Sequence, residues 1–113
     1  PHKEFVNVIR MSSALVGNSS MGFLEAPYYK IPVINVGRRQ TGRLNAGNVV
    51  FVNYNQKNII SALNRACFDN KYLNNLKKID NLYGNGFSSK KITRFLEKIN
   101  LNDNKWSVKR NLC

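Results

Sequence analysis

The chain has 113 residues, 42% of them hydrophobic, with eighteen Lys and Arg against six Asp and Glu and a formal net charge of +12. That length bounds it to one domain with a modest core, and the apolar fraction excludes a disordered chain. The cationic excess suggests a polyanionic partner, but the lysines are scattered over expected helix surfaces and only Arg38, Arg39 and Arg43 cluster, which speaks against a nucleic-acid stripe. Two cysteines, Cys67 and Cys113, lie far apart without metal-type spacing, and no secretory signal is visible, so a reduced, cytoplasmic setting is expected, with no metal and no cofactor. No segment is long enough to span a membrane. The first residue is Pro1 rather than Met, which raises the expectation of a piece of a longer protein.

From His2 to Met11, Phe5, Val6 and Ile9 recur at helical spacing, with Glu4 early and Arg10 late as the helix dipole prefers. Ala14 to Val16 is a short apolar strand, and Ser19 to Tyr29 reads as a second helix. Ile31 to Val36 is a β-branched run with Pro32 at its start, where its missing N–H does no harm. Arg38 to Asn48 is a polar loop, and Val49 to Val52 a third strand. Gln56 to Phe68 is helical with Ile59, Ile60, Leu63, Ala66 and Cys67 facing the core, and a shorter helix surrounds Lys71 to Ile79. Leu82 to Phe87 is a turn in which Gly84 and Gly86 serve positive φ. Ser88 or Ser89 then caps a helix whose Ile92, Phe95, Leu96 and Ile99 are expected in the core. Trp106 stands in a polar tail, 101–113, expected to dock elsewhere.

This alternation is the grammar of a parallel α/β sheet. Three strands are too few for a complete doubly wound domain, so residues 1–100 read as the C-terminal portion of a Rossmann-like domain. The stretch Leu15 to Pro27 organises it. Gly17-Asn18-Ser19-Ser20 joins a strand to a helix start, where backbone N–H groups and two hydroxyls suit a phosphate. On its own the turn is more often an ordinary serine-capped helix start. Glu25, about one and a half turns beyond Ser19 in a helix, offers a carboxylate for two adjacent sugar hydroxyls.

Gly17-Asn18-Ser19-Ser20-x-Gly22-x-x-Glu25-Ala26-Pro27, then Ile31 to Gly37 with Arg39-Gln40-x-Gly42-Arg43, then Tyr83-Gly84-Asn85-Gly86-x-Ser88 together resemble the C-terminal half of UDP-N-acetylglucosamine 2-epimerases, closest to the hydrolysing branch. The resemblance runs from about Phe5 to Ile99. It implies a two-domain glycosyltransferase-B-type fold whose C-terminal domain binds the nucleotide. It also implies conversion of UDP-N-acetylglucosamine to N-acetylmannosamine and UDP on a route to sialic acids, by elimination of UDP to a glycal that is then hydrated. Carried over by residue, Ser19, Ser20, Met21 and Gly22 match the diphosphate-binding turn, Glu25 the ribose-binding carboxylate, and Arg39 the arginine near the cleft, with Arg43 beside it. Met21 replaces a residue that is often small, and only its N–H is required. Arg38 and the Tyr83 turn have no implied ligand role.

The family's proton-transfer carboxylates and histidine belong mainly to the other domain. His2 is terminal, and Asp69, Asp80, Glu97 and Asp103 fall in helices or tail, so no catalytic residue is expected in this chain and the chain alone is expected to be inactive. Its implied partners are a nucleotide sugar, a missing N-terminal domain and, in the full-length protein, further copies of itself, with no membrane. The alternatives are an epimerase for another UDP- or GDP-linked amino sugar, a glycosyltransferase of the same fold, or, in a different class, a basic nucleic-acid-binding module.

Overall fold

The computed structural model describes residues 1–100 and Asp103; Trp106, Cys113 and most of the expected tail lie outside the described residues. The elements run α1 (His2–Met11), β1 (Leu15–Gly17), α2 (Met21–Leu24), β2 (Val33–Val36), β3 (Val49–Val52), α3 (Gln56–Phe68), α4 (Asn70–Leu76) and α5 (Ser88–Leu96). The strands form a parallel sheet in the order β1-β2-β3, with Leu15 opposite Val33 and Val33 opposite Val49. The expected α/β Rossmann-like sheet is therefore present. The chain divides into two compact units, Pro1–Tyr83 and Gly84–Cys113.

In the first unit the strands alternate between two apolar layers, as the period of two demands. Val33 and Val49 join Ile9 of α1, Phe23 of α2, Ala26 and Ile31 on one face. Ile34 meets Ala62 and Ala66 of α3 and Tyr72 and Leu76 of α4 on the other, with Val36, Val50 and Val52 beside them. Cover on both faces of this central strand explains why β2 is β-branched at three of its four positions, with Val33, Ile34 and Asn35 buried and Val36 partly so. Asn55 and Asp69 start α3 and α4 by accepting from the N–H groups of Asn58 at 3.2 Å and Tyr72 at 3.0 Å. The Tyr72 phenol, 8% exposed, donates to the Asn48 carbonyl at 3.3 Å. Burial pushes its pKa up, while the Arg65 guanidinium over its ring pulls the other way.

Four expectations are corrected. The helix expected from Ser19 to Tyr29 is only the single turn of α2, followed by turns to Lys30. Pro27 has no N–H to donate and its ring excludes the carbonyl four residues back, and Lys30 at φ 59° ends the segment in the left-handed region. Ile60, expected to face the core from α3, is 48% exposed. In the second unit, the Ile92, Phe95 and Leu96 stripe of α5 is surface, each residue being more than half exposed. The helical period reports that a face is apolar, not that a partner covers it. Nor does a serine cap α5: Phe87 occupies the cap position and no side chain makes a capping bond there. The glycine turn before it is as expected, with φ of 127° at Gly84 and 87° at Gly86.

Candidate functional site

The carboxyl ends of parallel strands are where open α/β sheets bind ligands, because loops leave the sheet there in divergent directions. The loop after β1 carries Ser19 to Gly22, and the loop after β2 carries Arg38 to Arg43.

In the first loop the Ser19 Oγ accepts from the Met21 N–H at 3.3 Å, and the Gly22 and Phe23 N–H groups turn back onto the Ser19 and Ser20 carbonyls at 3.3 and 3.0 Å. Ser19 is exposed and Ser20 half-buried. Ser19, Met21 and Gly22 line a small hollow of about 60 Å³ with Leu15, Val16, Gly17 and Val33. Any anion here rests on hydroxyls and individual N–H groups, since a helix of one turn has almost no macrodipole.

Gly22 is set by close approach. A Cβ at that position would stand 2.7 Å from Val33 Cγ1 in β2, inside the distance real methyls reach. Gly22→Ala is therefore expected to destabilise the chain by about 1–3 kcal/mol in denaturant titration, by overpacking that lifts the turn off the sheet. A change under ~0.5 kcal/mol would show that β2 yields freely there.

The second loop turns on hydrogen bonds from the Thr41 N–H to the Arg38 carbonyl at 3.0 Å and from Arg43 to Gln40 at 3.3 Å. With the end of β3 it walls a cavity of about 850 Å³ lined by Arg38, Arg39, Arg43, Phe51, Asn53 and Tyr54, among others, without a carboxylate. The three arginines are exposed, so this mouth presents cationic forks beside two aromatic rings. That chemistry suits a phosphorylated ligand.

The two loops are joined. The Gln40 side chain, 3% exposed, donates through Nε2 to the Asn18 carbonyl at 2.8 Å. Glu25 lies apart from both. It is half-buried, ends α2, and lines a separate hollow of about 240 Å³ with His2, Val6, Leu24, Tyr28, Tyr29 and Asn81. The structure thus links the Ser19 turn to the Arg39 and Arg43 loop, and leaves Glu25 on the α1 side without a shared cavity. Among the described residues no group of three His, Cys, Asp or Glu is arranged to hold a metal ion, and no helix is long and apolar enough to cross a membrane.

Sequence reasoning missed the buried carboxamides. Asn35, Gln40 and Asn48, at 1%, 3% and 0% exposure, are the buried polar side chains among the described residues. Asn48 Nδ2 donates to the Gly22 carbonyl at 2.9 Å and to Ile31 at 3.2 Å, and Asn35 Nδ2 donates to Gly37 at 3.0 Å. The one available signal was Asn35 standing inside a β-branched strand. Phe51 and Tyr54 as cavity walls were missed too, since a strand end and its following loop carry no local mark of a site.

The model of the family described as UDP-N-acetylglucosamine 2-epimerase matches residues 1–97. A UDP-N-acetylglucosamine 2-epimerase of Neisseria meningitidis serogroup B is 35% identical over 104 residues, which is 92% of this chain and 26% of that protein. A hydrolysing UDP-N,N'-diacetylbacillosamine 2-epimerase of Legionella pneumophila is 35% identical over 99 residues, 87% of this chain and 25% of its own length. A hydrolysing GDP/UDP-N,N'-diacetylbacillosamine 2-epimerase of Campylobacter jejuni is 40% identical over 48 residues, 42% of this chain and 12% of that protein. The chain thus spans about a quarter or less of the length of these relatives.

Proposed function

This chain belongs to the UDP-N-acetylglucosamine 2-epimerase family, and on that premise we propose that it is the diphosphate-holding part of a hydrolysing epimerase that converts UDP-N-acetylglucosamine to N-acetylmannosamine and UDP. The observation that carries this reading is the Gln40 to Asn18 bond, which fastens a hydroxyl-bearing turn to a three-arginine loop at one edge of a parallel sheet. Breaking the sugar–phosphate bond by elimination leaves negative charge on the departing UDP. Donors already held in place stabilise that charge in the transition state without reorganising. The Ser19 and Ser20 hydroxyls take one side of the diphosphate, with the Met21 and Gly22 N–H groups exchanging their bonds within the turn for it, and Arg39 and Arg43 take the other. Glu25, as the ribose carboxylate, then serves a ligand whose nucleoside reaches the α1 side of the turn.

The proton that must leave the sugar carbon, and the water that adds to the glycal, need a general acid and base. Among the described residues no carboxylate lines the arginine cavity, and Asp69 caps α4 and pairs with Arg65 at 3.8 Å. Those steps fall to residues outside this chain, and the isolated chain binds UDP without turning over substrate. A second reading, the same chemistry on a diacetylated amino sugar, is favoured by the names of the Legionella and Campylobacter relatives; it leaves the diphosphate contacts unchanged.

Titration calorimetry with UDP tests the proposal. The 113-residue chain is expected to bind UDP, and Glu25→Ala to weaken it roughly tenfold or more, through loss of about one hydrogen bond to a carboxylate. Tight, salt-sensitive binding of RNA with no binding of UDP would instead make it a basic nucleic-acid module.

A further inference from the structure

Each of the three buried carboxamides donates through its NH2 to a main-chain carbonyl, and each leaves its own side-chain carbonyl oxygen buried without a partner among the described residues. A buried acceptor left unpaired costs stability, so such residues are poor choices for the interior unless the donated bond fixes something. For Asn35 and Asn48 the donated bonds stay at the sheet: Asn35 serves the end of its own strand, and Asn48 holds α2 to the segment before β2. Gln40 differs. Its bond spans two separate loops, 22 residues apart in sequence, and ends on Asn18, next to Ser19.

We propose that Gln40 is a positioning residue for diphosphate binding: its Nε2 bond to the Asn18 carbonyl sets the separation between the Ser19 to Gly22 turn and the Arg39 and Arg43 loop, so that hydroxyls and guanidinium groups close on one ligand together. This rests on the diphosphate reading above. Gln40 is 3% exposed and takes no contact with ligand itself; it acts through its flanking residues, Arg39 before it and the turn it grips. The chemistry requires a carboxamide of this length. Glutamate would present an oxygen to the Asn18 carbonyl, and asparagine is one methylene short, so neither restores the bond.

The test is a double-substitution cycle read by UDP titration, with Gln40→Ala and Arg39→Ala made singly and together in the 113-residue chain. Each single change is expected to weaken UDP binding roughly tenfold, and the pair much less than a hundredfold, because once the loop is unfastened its arginine has little left to lose. Gln40→Glu is expected to behave as Gln40→Ala does. A readout without ligand runs beside it: the amide NMR resonances of Asn18 to Met21 shift in Gln40→Asn while those of α3 stay put. Silence at Asn18 to Met21, or singles that multiply fully in the pair, would overturn the positioning role while leaving UDP binding intact. Failure of the unmodified chain to bind UDP would remove the diphosphate reading and this inference with it.

Discussion

Phe23→Ala is expected to lower the unfolding free energy by about 3–5 kcal/mol, the range for emptying a buried aromatic site. Phe23 is 1% exposed in the layer made by Ile9, Ala26, Ile31, Val33 and Val49, and its ring centroid lies 5.9 Å from that of Phe51 in a tilted arrangement. The cavity left behind has few ways to collapse. β2 is buried on both faces, and Ala26 and Pro27, fully buried, fix the backbone that follows. Denaturant titration should show a lower midpoint with an unchanged slope, which marks lost stability rather than a changed unfolded state. Phe68→Ala, at a residue 77% exposed, provides the control and is expected to stay within ~0.5 kcal/mol of the parent. The functional consequence follows from chain position. Phe23 comes directly after Gly22, so its ring pins the Ser19 to Gly22 turn to the sheet, and UDP affinity should fall with stability. A loss under ~1 kcal/mol would mean that α2 rests on the sheet through its backbone and Gly22 rather than through this ring.

The same packing shows what could and could not be read from the residues. β2 was legible because a strand covered on both faces is β-branched at most positions, β3 because all its residues are β-branched or aromatic, and α1 and α3 because an apolar stripe at helical spacing survives any tertiary context. Length and partnership were less so. Residues 21–29 contain good helix formers, yet Pro27 removes a donor at the point where a second turn would begin, and the positive φ at Lys30 then closes the segment. Propensity lost to one missing N–H. The α5 stripe read as core because periodicity cannot distinguish a covered face from an open one, and 57% exposure at Ile92 and Leu96 shows the open case. At the candidate site, the serine turn and the arginine loop were visible as motifs. The bond between them was not, because a buried glutamine in a polar loop looks the same as a solvated one until the sheet brings Asn18 to it. Glu25 shows the reverse: its spacing from Ser19 was legible, and the separate hollow it lines with His2, Val6 and Tyr28 was not.

Arg39→Ala is expected to weaken UDP binding by about 1.5 kcal/mol, roughly tenfold, the low end of the range for a hydrogen bond to a charged group. The competing expectation comes from the net charge of +12: if UDP were attracted by a general cationic field, any exposed lysine would matter about as much as Arg39. Lys57, exposed on α3 and absent from the arginine cavity, separates the two. An exposed lysine that lines no part of that cavity makes only a solvent-screened contribution, so Lys57→Ala should change affinity less than about twofold. Arg39→Lys keeps the charge and loses the planar fork, and should fall between parent and alanine variant, because a guanidinium grips two phosphate oxygens where an ammonium acts as a point charge. Raising salt should weaken the parent and Arg39→Lys more than Arg39→Ala, since the alanine variant has already lost the contact that salt screens. Equal losses from Arg39→Ala and Lys57→Ala would sink the local site, because no geometry is needed to explain a field. A loss confined to Arg39 places the diphosphate at the mouth where Arg38, Arg39 and Arg43 face Phe51 and Tyr54, one bonded glutamine away from the serine turn.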